Sequence, residues 1–151
     1  MRLLCLGLLC FVLAQPMGRL LAADGKILKV LPHYLDGHGR HASSPSLFDR
    51  DAYQAFLRRH PEKRSALQLD VQWKAGAVPA GKLKLRAEIR GRHSATPTEI
   101  EAPVTARRRG NQWTALKLEG EPYRTLGEPV AWRVQLWDGD QIVAEQRSFL
   151  W

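Results

Sequence analysis

The feature that most constrains this chain is a change of hydrophobic period after Pro61. In LQLDVQW, Leu67, Leu69, Val71 and Trp73 alternate with Gln68, Asp70 and Gln72. In KLKLRAEIR, Leu83, Leu85, Ala87 and Ile89 alternate with Lys82, Lys84, Arg86, Glu88 and Arg90. Successive side chains of a strand point to opposite faces, so each run reads as a strand with one dry and one wet face. A one-sided sheet needs a second layer to cover its dry face, which directs the chain toward two stacked sheets.

The same reading extends along the chain. ILKVLPHYLD, starting at Ile27, leans toward strand, and Pro32 cannot donate to a ladder, which assigns it to an edge or splits it. TEIEAPVTA places Ile100, Ala102, Val104 and Ala106 on one side, with Pro103 again marking an edge or a bulge. Arg109-Gly110-Asn111 is expected to turn this strand into QWTALKL as a hairpin, in which Trp113 falls out of phase with Leu116 and Leu118. GEPYRTLGEP reads as loop. VAWRVQLW and QIVAEQRSFLW are joined at Asp138-Gly139-Asp140 and form the clearest hairpin, with Trp132, Val134 and Leu136 on one face.

One helix interrupts the strands, over about 47–59. Ser46 is its cap, Asp49 follows three residues later in a capping-box-like pattern, and Pro61 stops it. Ala52, Tyr53, Phe56 and Leu57 form its apolar stripe, leaving Arg50, Arg58 and Arg59 for water. The expected fold is therefore mainly β: an antiparallel two-sheet sandwich of about 6–7 strands with one short helix near the start of the domain.

The first 23 residues follow a different logic. Arg2 precedes an apolar run from Leu3 to Ala14, about as long as the core of a secretory signal and too short to span a bilayer. Pro16 and Gly18 break it, and cleavage is expected just after Ala22 or Ala23. This divides the chain into a signal peptide, 1–23, and a single β-sandwich domain, 24–151, with no transmembrane segment after cleavage and a periplasmic or secreted destination. Cys5 and Cys10 fall in the removed part and neither is placed for lipidation, so the domain carries no thiol and depends on core packing alone. It keeps 21 basic residues against 15 acidic ones, a balance that favours anionic partners.

In the amphipathic strands from Leu67 to Trp151, in Trp73 and in the closing hairpin AWRVQLWDGDQIVAE, the domain resembles the immunoglobulin-like and fibronectin type III-like sandwiches of exported proteins. The cysteine pair that links the sheets of antibody domains is absent, and the helix is an addition. The resemblance implies binding, spacing or assembly more often than catalysis.

Three sets of residues carry candidate chemistry. Lys82, Lys84, Arg86 and Arg90 share the wet face of one strand, and Arg107, Arg108 and Arg109 end another; as neighbours they would form a stripe for phosphates, sulfates or uronates, against the commoner reading of a solvated outer face. Trp113 and Trp137, out of phase with their strands, are candidate platforms for a sugar ring. His33, Asp36, His38 and His41 are a candidate site for zinc or copper, although they follow no established ligand spacing. Hydrolysis has no sequence support: there is no GxSxG elbow, and Asp49/Asp51 and Asp138/Asp140 start a helix and decorate a turn. The function expected is a non-enzymatic envelope module that binds an anionic polysaccharide or an envelope protein. A small metal-binding protein using His33 to His41 is the alternative. Nucleic acid is the least favoured partner, because no aromatic residues interleave with the basic ones.

Overall fold

The computed structural model describes residues 24–76, 83–92, 94, 96–107 and 110–151. The expected signal peptide and the candidate binding residues Lys82, Arg108 and Arg109 lie outside the described residues. Alternating sequences become the strands β1 (Gly25–Asp36), β2 (Arg64–Ala75), β3 (Leu83–Gly91), β4 (Thr98–Pro103), β5 (Gln112–Glu119), β6 (Pro129–Asp138) and β7 (Gln141–Arg147). All pairings are antiparallel. One sheet has the order β1-β2-β5 and the other β4-β3-β6-β7, so the chain is a two-sheet β-sandwich. Its fourth strand pairs with the third, whereas constant-type immunoglobulin domains keep that strand in the sheet of the first two.

The dry faces meet as the alternation requires. Leu67, Leu69, Val71 and Trp73 of β2 face Leu83, Leu85, Ala87 and Ile89 of β3 across a single core, completed by Leu116, Leu118, Val134 and Leu136. Burying each large apolar side chain contributes about 1.5–3 kcal/mol, so this cluster carries the stability of a domain without disulfides. Trp73, almost fully buried, keeps its polar edge satisfied: its indole N–H donates to the Thr114 hydroxyl at 2.9 Å. Pro32 and Pro103 sit on the edge strands β1 and β4, as their missing N–H demands. Ile100, Ala102, Val104 and Ala106 all pack partly buried against the core.

Two expectations need correction. β4 and β5 do not form a hairpin: β4 pairs with β3 and β5 with β2, so the connection between them crosses from one sheet to the other. The amphipathic β5 buries Leu116 and Leu118 by completing the β1-β2 sheet, an outcome that local turn residues do not encode. GEPYRTLGEP is also not all loop, because Gly120–Leu126 is a short helix, α2, that drops Leu126 into the core. It is set between Gly120 (φ +68°) and Gly127 (φ +72°), two conformations only glycine adopts readily.

Helix α1 (Leu47–Arg59) has the expected bounds. The Ser46 hydroxyl accepts from the Asp49 N–H at 3.5 Å, while the Asp49 carboxylate accepts from the Ser44 hydroxyl at 2.6 Å, so the cap is not reciprocal. Its buried residues are Leu57 and Gln54; Phe56 and Ala52 face outward. Gln54 is 5% exposed and stands in for a neighbouring strand along β1. Its amide accepts from the Tyr34 N–H at 2.8 Å and donates to the Tyr34 carbonyl at 2.9 Å and the His41 carbonyl at 2.8 Å. The end of α1 is held by Arg64, whose side chain is 4% exposed. The guanidinium donates to the Leu57 carbonyl (2.6 Å), the Arg58 carbonyl and the Glu128 carboxylate (2.6 Å), and lies 4.0 Å from the centre of the Tyr34 ring.

Candidate functional site

The sequence nominated three surfaces, and the fold sorts them. On the outer face of the β4-β3-β6-β7 sheet, Lys84, Arg86 and Arg90 do line one side of β3, but carboxylates from β4 stand directly across the ladder. Arg86 pairs with Glu101 at 2.6 Å and with Glu99 at 3.7 Å, and Lys84 reaches Glu101 at 3.2 Å. These two donors hold the Glu101 carboxyl below its usual range, Arg86 foremost, and the pairing raises Arg86 in turn. Trp137 lies beneath the same cations, 5.5 Å from the Lys84 ammonium and 5.2 Å from the Arg86 guanidinium. Farther along, Arg133 pairs with Glu88 at 2.7 Å, and Arg90 and Arg133 flank the Trp151 ring at 4.2 and 4.8 Å. Most of these cations already have an acid or an indole as neighbour. The face is a charge-balanced, aromatic-braced surface rather than an open basic stripe.

The histidine-rich segment is built into the fold. Asp36, 6% exposed, accepts from the His38 N–H (2.9 Å), the Arg40 N–H (2.8 Å), the Arg40 guanidinium (3.0 and 2.9 Å) and the Tyr53 hydroxyl (2.7 Å). Burial disfavours its charge, but these donors outweigh burial and keep the carboxyl well below the usual range. His33 is buried, 3.4 Å from the Asp70 carboxylate, with its ring stacked on His41 at 5.1 Å. Burial pushes it below its ordinary value, against the attraction of Asp70. His38 is exposed and meets Asp36 through its backbone. Among the described residues no group of three or more His, Cys, Asp or Glu side chains is placed to hold a metal ion. His33, Asp36, His38 and His41 thus adjoin in sequence but do not converge as one ligand set.

The third surface joins Trp113 and Arg107, which sequence spacing alone assigns to two different candidate surfaces. Where the chain leaves β4 and enters β5, a groove of about 400 Å³ opens at the end of the sandwich. Trp113, 52% exposed, lies along it, and Arg107 lines it as well. Trp73, Thr105, Asn111 and Thr114 contribute to the walls, and among the described residues no carboxylate does. The geometry follows from β5: inward alternation commits Gln112, Thr114, Leu116 and Leu118 to the core side, so Trp113 must project outward. The connection is tied down by Gln112, whose side-chain amide, in the orientation that satisfies both ends, donates to the Thr105 carbonyl at 2.8 Å and accepts from the Arg107 N–H at 3.1 Å. That bridge fixes the backbone that carries Arg107. Among the described residues no carboxylate pairs with Arg107, unlike Lys84 and Arg86.

An exposed indole, a cation free of acid partners and several hydroxyl and amide groups can hold a flat, polar, anionic ring: the indole stacks on its C–H face, and the cation pairs with its charge. Comparisons with protein-family models, curated proteins and solved structures give no match for this chain. Among the described residues no helix is long and apolar enough to cross a membrane.

Proposed function

We propose that the chain is an exported, non-enzymatic binding module of the cell envelope, and that the groove between the end of β4 and the start of β5 takes an acidic saccharide of uronate or sulfated type. The observation that carries this reading is the shared groove of Trp113 and Arg107, with no carboxylate in its walls among the described residues. The apolar run ahead of Asp24 supports export, and the excess of basic residues raises the local concentration of polyanions. A single stacking contact and one exposed charge pair give modest affinity, with Kd on the order of 0.1–1 mM for one site, weakening with salt. Repetition along a polymer is what makes such a site useful.

The test is calorimetric titration of residues 24–151 with oligogalacturonate and with a neutral oligosaccharide of equal length. The acidic ligand should bind, Trp113→Ala and Arg107→Ala should each weaken it at least tenfold, and neither substitution should lower the melting temperature. Equal binding of the neutral sugar would refute recognition of the charge, and binding unchanged in both variants would refute the site.

A further inference from the structure

A second cavity lies at the opposite side of the fold and has a different chemistry. Along part of its length β1 closes the flank of the sandwich against β7, where a Cβ on Gly25 would come within 2.8 Å of Val143. Around Pro32 that flank opens, leaving a cleft of about 240 Å³. Leu67 and Ile89, from the inner faces of the two sheets, form its floor; Pro32, Val130 and Trp132 form its walls. The volume exceeds the roughly 150 Å³ of an apolar cavity known to admit benzene. Among the described residues no carboxylate lines it, and the one charged residue that does is Arg58, at the exposed end of α1. Among the described residues the Arg58 guanidinium has no ion-pair partner, whereas Glu128 is engaged by Arg64 and by the Tyr34 hydroxyl at 2.8 Å.

The cleft is also firmly framed. The Ser148 hydroxyl accepts from the Trp132 N–H at 3.0 Å, and the Ser148 N–H donates to the Trp132 carbonyl at 2.9 Å, so its polar atoms face the backbone and leave the opening apolar. The exposed Val130, Phe149 and Leu150 extend apolar surface around this end of β6 and β7. Apolar floor and walls with one unpaired cation at the rim match a ligand with an apolar body and a single negative head.

The geometry points to a binding site for a small amphiphilic monocarboxylate, its hydrocarbon portion between the sheets at Leu67, Ile89 and Trp132 and its carboxylate on Arg58. The site is independent of the saccharide groove. It is tested with octanoate as the probe, octanol as the uncharged counterpart and acetate as the headgroup alone, followed by amide and indole NMR shifts in residues 24–151. Saturable octanoate shifts should centre on Ile89, Trp132 and Ser148, and acetate should give none. Arg58→Gln, exposed and distant from the core, should weaken octanoate at least tenfold while leaving octanol affinity and the melting temperature unchanged. Absence of saturable shifts, or shifts spread over the outer strand faces, would overturn the site; octanoate binding unaltered by Arg58→Gln would overturn carboxylate recognition.

Discussion

Replacing Gln54 by leucine is the sharpest probe of how α1 is joined to the sandwich. The two side chains are similar in size, so the change deletes hydrogen bonds more than volume. Three backbone groups lose their partners: the Tyr34 N–H, the Tyr34 carbonyl and the His41 carbonyl. Leaving a buried polar group unsatisfied costs about 1–3 kcal/mol, which for three groups suggests about 6 kcal/mol. A small outward shift of α1 admits water to some of them, and the leucine gains about 1–2 kcal/mol of apolar burial. The expected net loss is about 3 kcal/mol, or about 10 °C in melting temperature for a domain of this size. Urea denaturation of residues 24–151 should show it as a lower midpoint with an unchanged slope, and hydrogen exchange at the Tyr34 amide should accelerate before global unfolding. A loss under about 1 kcal/mol would refute the reasoning that Gln54 serves as a surrogate strand for the β1 edge.

Acid stability should depend on Asp36. Its folded carboxyl ionises well below the ordinary value, so its contribution is complete above about pH 5, begins to decline as pH falls through the ordinary Asp value near 3.9, and vanishes only below the lower folded value. Asp36→Asn should lower the melting temperature at pH 7 and flatten the decline between about pH 5 and pH 3; an unaltered acid profile would contradict this account. Gly91→Ala should destabilise by about 3 kcal/mol, the upper part of the usual overpacking range, because the new Cβ would lie 1.9 Å from the Leu126 carbonyl oxygen, a backbone atom that no rotamer change removes. A neutral result in a thermal melt would show that α2 is free to move away. Glu101→Gln removes the acid shared by Lys84 and Arg86 on a solvated face, so stability should change by less than about 1 kcal/mol. A larger loss would mean that the outer face contributes to the fold directly.

Strands were legible wherever burial is one-sided, because inward and outward residues then differ in polarity at every step, as in β2 and β3. Helix α1 is legible from its ends, Ser46 and Pro61, and Leu57 of the stripe Ala52, Tyr53, Phe56 and Leu57 is buried as expected, but Ala52 and Phe56 face outward and Gln54, outside the stripe, ties the helix to β1 through backbone hydrogen bonds. A polar residue in that role carries no hydrophobic signal. The β4–β5 crossover was hidden because pairing depends on which sheet lacks a strand, not on the Arg-Gly-Asn turn between the two. Short α2 was hidden by its flanking glycines, which also describe loops. As for the site, the phase of Trp113 announced an outward ring, and the structure gives it Arg107 as a groove neighbour. Nothing in the spacing indicated that Glu99 and Glu101 would neutralise the β3 face, since that requires knowing the β3–β4 register. The apolar cleft by Arg58 left no sequence trace at all, because its walls come from both sheets.

The most direct test of the central claim is NMR mapping of oligogalacturonate onto residues 24–151. Saturable shifts are expected to cluster at Thr105, Arg107, Asn111 and Thr114 and at the Trp113 indole, and to decrease as salt is raised. Shifts centred instead on Lys84, Arg86 and Arg90, or no saturable shifts at low salt, would contradict it.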